Sequence, residues 1–244
     1  MSDQTRKQSF TFKPIGIVRS CFTEKFGIPR QPGLIPDAEA VVEILAPWNR
    51  AEAWQELGAF SHVWLIFVFH AVPEDHDRLT ARPPRLGGNK RVGVFATRSP
   101  FRPNPVGLSV VRLDSVDISE QGVALRVRGA DILDGTPVLD VKPYLPYVDS
   151  VPDAAGDYAG TTPEPRLTVS FTPEAEAACE ALRHRYPQLQ ALVRQMLELD
   201  PRPAYSGTKS IKNTYGMRLY DLEVKWAVDG GKALVTQIQA ATSA

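Results

Sequence analysis

The chain has 244 residues and 43% apolar content, enough for one large domain or a medium and a small one, each with its own core. Lys plus Arg and Asp plus Glu both number 28, so total charge carries no nucleic-acid footprint and any basic surface must be local. Cys21 and Cys179 lie too far apart in sequence to suggest a disulfide framework and fit a reducing cytoplasm, while the longest apolar run, residues 63–69, is too short to span a bilayer, so no membrane partner is expected.

In chain order, residues 10–18 read as a first strand broken at Gly16. The loop R-S-C-F-T-E-K-F-G-I-P-R-Q-P-G-L follows, and its Pro32-Gly33 step suits a type II turn with exposed amides. Residues 40–45 form the next strand, and Asn49 with Glu52 reads as a capping pair for a short helix carrying Trp54 and Leu57 and closed by Gly58. Residues 60–70, F-S-H-V-W-L-I-F-V-F-H, are too continuous for a half-exposed strand and predict the buried centre of the sheet, with His62 and His70 as hydrogen-bonded core histidines. Further strands are predicted at 92–96, 108–116, 123–128 and 138–141. No helical patterns of crossover length separate these strands, which argues for an antiparallel barrel or strongly curled sheet. Neither G-x-G-x-x-G nor G-x-x-x-x-G-K occurs, so no dinucleotide fingerprint or P-loop is available.

Residues 151–165 shift to Pro, Ala, Gly and Asp, the composition of a linker. Beyond it come a strand at 167–171 and a helix opened by Thr172-Pro173-Glu174, with Ala175, Ala178, Cys179 and Leu182 on one face. A second helix carries Leu189, Leu192, Val193 and Met196, and Leu222, Val224, Trp226 and Val228 alternate into the Asp229-Gly230-Gly231 turn. The expected fold is mainly β: an antiparallel β-barrel N-terminal domain over 1–150, a linker, and a small α+β C-terminal domain over 166–244.

The chemistry concentrates in stiff loops. In T-R-S-P-F-R-P-N-P-V-G, Pro100, Pro103 and Pro105 fix three φ angles, so the loop is pre-ordered and presents Arg98, Arg102 and Asn104. Arg78, Arg82, Arg85, Lys90, Arg91, Arg98 and Arg102 form a basic block with no Asp or Glu between Asp77 and Asp114, which points to an anionic ligand. The stretch D-I-L-D-G-T-P-V-L-D-V-K-P-Y-L-P-Y adds acidic groups and prolines that lock Tyr144 and Tyr147, a surface suited to a flat heterocycle. The loop D-P-R-P-A-Y-S-G-T-K suits either an RNA contact or a structural turn. No H-E-x-x-H, C-x-x-C or G-x-S-x-G is present, so neither a metal site nor a serine nucleophile is expected.

Taken together, P-R-Q-P-G-L, F-S-H-V-W, V-F-A-T-R-S-P-F-R-P-N-P-V-G-L-S, D-G-T-P-V-L-D-V-K-P-Y-L-P-Y and D-P-R-P-A-Y make the chain similar to the bacterial TsaA-like proteins of the TrmO type. The resemblance covers nearly the whole chain, but residues from Ser206 onward match no landmark. It implies a β-barrel methyltransferase domain using S-adenosylmethionine, a homodimer, and a second domain that grips tRNA. The implied acceptor is the exocyclic amine of threonylcarbamoyladenosine next to the anticodon. Carried over, the cofactor site comprises Gln31, Pro32, Gly33, His70, Arg98, Leu108, Asp131, Ile132, Leu133 and Asp134. Asn104 before Pro105 resembles, by analogy, the amine-orienting device of other amino-methyltransferases, with Tyr144 as a second candidate. Arg78, Arg82, Arg85, Lys90, Arg102, Lys142, Arg202 and Tyr205 are the expected tRNA contacts. Arg98 is claimed by both the cofactor and the anion reading. A non-catalytic RNA-binding barrel is the alternative from another class.

Overall fold

The computed structural model describes residues 9–73, 79–202 and 214–241. Eight strands precede the linker: β1 (Gly16–Ser20), β2 (Glu39–Ile44), β3 (His62–Val68), β4 (Thr80–Ala81), β5 (Val92–Gly93), β6 (Val106–Ser119), β7 (Gly122–Arg128) and β8 (Pro137–Pro143). Six of them close a barrel in the order β1-β2-β7-β6-β3-β8, every pairing antiparallel. Period-two alternation turns Val18, Val42, Val63, Leu65, Phe67, Val111, Leu125 and Val127 inward. The outer wall carries Arg19–Glu43, Arg126–Asp117 and Arg128–Asp114 pairs, which add little stability each but leave the wall neutral. Gly107 is needed where β6 crosses β3, because a Cβ there would overlap the Phe67 ring.

Four local expectations are corrected. The first strand starts at Gly16 rather than being broken by it, since a Cβ at that position would press on the Glu43 carbonyl and Val42. β3 is not buried throughout: Val63, Leu65 and Phe67 face the interior, whereas His62, Trp64 and Ile66 line the outer face and are half-buried. A barrel wall has one lined side, so a continuous apolar run can still alternate; His62 is therefore only half-buried and His70 is exposed, and neither is a core histidine. The predicted helix after Asn49 is two 3₁₀ turns, Ala51–Trp54 and Leu57–Ala59, without a side-chain cap and with Glu56 at φ 64 between them. Such a short stretch cannot meet the cost of nucleating an α-helix. Finally, only Val92–Gly93 of the strand predicted at 92–96 pairs, and it pairs with β4 in a small arm outside the barrel.

After a one-turn helix α1 (Pro146–Asp149), the C-terminal unit contains β9 (Thr168–Phe171), α2 (Pro173–Ala181), α3 (Leu189–Glu198), β10 (Thr214–Leu219), β11 (Leu222–Asp229) and β12 (Lys232–Ala240). Its sheet runs β10-β11-β12-β9, with β9 parallel to β12. Thr172 Oγ1 accepts from Ala175 N at 3.3 Å ahead of Pro173, the expected helix start. Leu192, Met196 and Leu197 of α3 pack into a core centred on Trp226 of β11. That core is not local in sequence: Cys21, Phe22, Ile35 and Ala38, from the connection between β1 and β2, are buried in it.

Candidate active site

The 97–105 loop lies at one mouth of the barrel, where β3 ends and β6 begins. Phe69 N donates to Pro105 O at 2.8 Å, and Val106 N donates to Asn104 O at 2.7 Å. The loop is ordered from within. Thr97 Oγ1 donates to Val94 O at 2.7 Å and accepts from Ser99 N at 3.2 Å, while Arg102 Nη1 donates to Thr97 O at 3.2 Å and its guanidinium lies 6.0 Å over the Phe95 ring. Arg102 is thus partly engaged inside the loop, whereas Arg98 reaches out and donates from Nη1 to Gln31 Oε1 at 2.5 Å. Asn104 is exposed, and its side chain has no partner among the described residues.

Two further segments complete the rim. Gly33 N donates to Gly129 O at 2.8 Å, and a Cβ on Gly129 would stand 3.2 Å from the Gly33 Cα, so the backbones touch. Gly33 has φ +75, the value a type II turn needs at its third residue, and space beside it is open. From the other side Asp131 accepts from Ser109 Oγ at 2.6 Å. Burial pushes the Asp131 carboxyl up to about 6, against the opposing pull of the Ser109 bond and the Arg98 charge. The next residues are pinned one by one: Ser20 Oγ donates to Ile132 O at 2.7 Å, Thr136 Oγ1 donates to Leu133 O at 2.7 Å, and Ser20 N donates to Asp134 Oδ1 at 3.0 Å. Thr136 Oγ1 also lies 3.3 Å from His70 Nδ1. Gln31 and Arg98 are therefore joined by a hydrogen bond, the Arg98 charge bears on Asp131, and His70 and Leu133 are joined to the same rim through Thr136.

Other expected residues lie elsewhere. Tyr144 N donates to His62 O at 3.0 Å, and the Tyr144 ring packs 6.0 Å from Trp64. Lys142 pairs with Asp140 at 2.9 Å beside Trp64. Both occupy the His62 end of β3, on the order of 20 Å along the strand from the Phe69–Pro105 contact. One chain does not bring Tyr144 and Asn104 together. Arg82, Arg85 and Lys90 sit exposed on or beside the β4–β5 arm, with no ion-pair partner among the described residues, although Arg85 donates to Thr161 O of the linker. Arg202 is held bidentately by Asp200 at 2.6 and 2.9 Å and stacks over Tyr215, so its charge is already neutralised. Arg78 and Tyr205 lie outside the described residues. Ser109, Gly129 and Thr136 were missed by sequence reasoning. Ser109 had a usable signal, a polar residue at an inward register of β6.

The rim combines a half-buried carboxylate, an arginine oriented by a glutamine, open backbone at Gly33 and Gly135, and apolar Leu108 on the adjoining strand. These groups fit a ligand that joins a fixed cation, a carboxylate and a flat base, as S-adenosylmethionine does. Among the described residues no three His, Cys, Asp or Glu side chains are grouped to hold a metal ion, and no helix is long and apolar enough to cross a membrane.

Comparison with known proteins identifies the family. The family model described as the tRNA-methyltransferase O N-terminal domain matches residues 17–150, and the TrmO C-terminal domain model matches residues 164–241. The tRNA (adenine(37)-N6)-methyltransferase of Escherichia coli K12 is 50% identical over 220 residues, spanning 90% of this chain and 94% of that protein. A putative S-adenosylmethionine-dependent methyltransferase of Pseudomonas aeruginosa PAO1 is 49% identical over 87% of this chain and 90% of its own length. The crystal structure of TrmO from Pseudomonas aeruginosa superposes with a TM-score of 0.78 at 37% identity, covering 96% of this chain and all of that one (100%). With both halves of the chain matched in order, the protein belongs to the TrmO family.

Proposed function

We propose that this chain transfers a methyl group from S-adenosylmethionine to N6 of adenosine 37 in tRNA, and that the acceptor is the threonylcarbamoylated form of that base. The observation that carries this reading is the Gln31–Arg98 hydrogen bond at the barrel mouth, with the Arg98 charge bearing on Asp131, in a chain that matches both TrmO domains.

When bound, S-adenosylmethionine supplies an electrophilic methyl group on a sulfonium. The chain's part is to bind, orient and exclude water. Gln31 and Arg98 hold the amino-acid end of the cofactor, the Asp131 carboxylate complements its positive charge, and the Gly33 and Leu133 backbones accept close approach. Asn104, stiffened between Pro103 and Pro105, offers Oδ1 to the N6–H of the acceptor and holds the nitrogen in line. The guanidinium nitrogens of Arg102 not used on Thr97 have no hydrogen-bond partner among the described residues and are offered to the threonyl carboxylate. The arm carrying Arg82, Arg85 and Lys90 faces tRNA phosphates; that these three have no carboxylate partner among the described residues contrasts with the neutralised barrel wall and supports that role.

The working form in this reading is a cytoplasmic homodimer. Leu79, Phe95, Val106 and Leu108 are 77%, 74%, 42% and 53% exposed near the site, an apolar surface that a second copy would cover. Only from such a copy could Tyr144 and Lys142 reach the site. Mass spectrometry of tRNA nucleosides from cells with and without the protein tests the function: the methylated threonylcarbamoyl nucleoside must disappear with the protein, and its persistence would rule the proposal out.

A further inference from the structure

The loop that carries Gln31, Pro32 and Gly33 is built into the C-terminal unit. Between β1 and β2 the chain leaves the barrel and buries Cys21, Phe22, Ile35 and Ala38 among Leu192, Met196, Met217 and Trp226. Phe26 stacks on Trp226 with ring centroids 6.2 Å apart and planes 11° from parallel. Gly27, at φ +90, lies against α3 and β10 so closely that a Cβ would stand 3.1 Å from the Met196 methyl.

Polar ties fix the same segment at both ends. Tyr220 N donates to Cys21 O at 2.8 Å, and Arg218 N donates to Glu24 Oε1 at 2.8 Å. At the far end Gln195 Nε2 donates to Asp37 Oδ2 at 2.6 Å, and Asp37 N donates to Gln195 Oε1 at 3.3 Å. The segment is tied to the barrel mouth as well: Asp134 N donates to Phe22 O at 2.8 Å and Ala130 N to Ala38 O at 3.3 Å at its ends, and the tip returns through Gly33 N to Gly129 O and Gln31 to Arg98. A loop with two glycines and two prolines between residues 19 and 34 has no regular backbone pairing of its own to set its shape. Between those ties its course follows the surface on which its apolar side chains are buried, and that surface belongs to α3, β10 and β11.

We infer that the C-terminal unit is a cofactor-positioning element, in which Gln195 and Trp226 act through the 21–38 loop to place Gln31 and Gly33 for S-adenosylmethionine. The inference rests on the reading that Gln31 and Gly33 meet the cofactor. It goes beyond a unit that only grips RNA, and it makes RNA contact and cofactor affinity thermodynamically linked, since anything that shifts α3 or β11 shifts the loop.

The test is calorimetric titration of S-adenosylmethionine into the full chain without RNA. Gln195→Glu removes a donor and sets a carboxylate against Asp37; adding Asp37→Asn restores a donor and acceptor across the pair. The first variant weakens cofactor affinity by about tenfold, and the second change brings it back to within about twofold of the parent. Parental affinity in folded Gln195→Glu overturns the inference, as does a loss that Asp37→Asn leaves unrepaired. If Gln195→Glu does not fold, Phe26→Leu, which removes only the stack on Trp226, is read the same way. Gln31→Ala separates the two layers: unchanged affinity in that variant removes the cofactor-loop reading and the inference with it. Weakened binding in Gln31→Ala beside parental binding in Gln195→Glu removes the inference alone.

Discussion

Arg98 Nη1 donates to Gln31 Oε1 at 2.5 Å, joining residues that stand 67 positions apart. The glutamine orients the guanidinium before any ligand arrives, which lowers the ordering cost of binding an anionic group. Arg98→Ala and Gln31→Ala are each expected to weaken S-adenosylmethionine binding by about tenfold, with the double variant well short of their product. Titration calorimetry on the four proteins measures the coupling, and fully additive losses would show that the two side chains act separately.

The Asp131 carboxyl, pushed up to about 6 by burial, makes a pH prediction with a definite sign. The folded state holds this proton more tightly than the unfolded state, whose aspartates titrate near about 4. Its stabilising contribution is full below that value and is lost as pH rises through about 6. Asp131→Asn keeps an acceptor for Ser109, so at pH 7.5 it is expected to raise Tm by a few degrees and to flatten the stability profile between about pH 4 and 6.5. The same change removes a negative charge beside the cofactor and weakens its binding. Scanning calorimetry of the unliganded proteins across that range decides, and identical profiles would contradict the burial argument.

The β4–β5 arm is expected to act on RNA alone. Arg82→Ala and Lys90→Ala each weaken tRNA binding and reduce the slope of log affinity against log salt by roughly one unit per lost phosphate contact. Cofactor affinity stays at the parental value. An unchanged slope in the double variant would mean that the arm faces away from the RNA.

Part of this site is legible in the sequence because it is written in residues that fix the backbone. Pro100, Pro103 and Pro105 announce a stiff loop, and Pro32-Gly33 announces a turn that the structure builds with Gly33 at φ +75. The barrel follows from strands with no crossover helices between them. What pairing register decides is not legible: Tyr144 and Asn104 both lie in proline-rich loops, yet the antiparallel alignment of β3 with β6 and β8 sends them to opposite ends. Burial of an aperiodic loop is equally hidden, since Cys21, Phe22, Ile35 and Ala38 follow no period that would assign them to a sheet more than a hundred residues away. β10 escaped notice because Gly216 interrupts T-Y-G-M-R-L and only Met217 and Leu219 are buried.

Asn104→Ala is expected to leave the fold and cofactor affinity intact while lowering the single-turnover methylation rate on saturating tRNA by about a hundredfold, the effect of losing one preorganised hydrogen-bonding group. Matching losses of rate and cofactor affinity would reduce Asn104 to a loop-shaping residue. A parental rate would move the amine-orienting role elsewhere, with backbone carbonyls of the 100–105 loop as the next candidates.

Substrate choice is decided by supplying the purified protein and S-adenosylmethionine with two preparations of one tRNA, identical except that adenosine 37 is threonylcarbamoylated in only one. Methyl incorporation is then read as nucleosides by mass spectrometry. One new methyl group is expected on the threonylcarbamoyl nucleoside, with at least about a hundredfold slower reaction on the unmodified tRNA, on the order expected for a lost anchoring charge pair. Equal rates on the two preparations, or no transfer to either, would contradict that expectation.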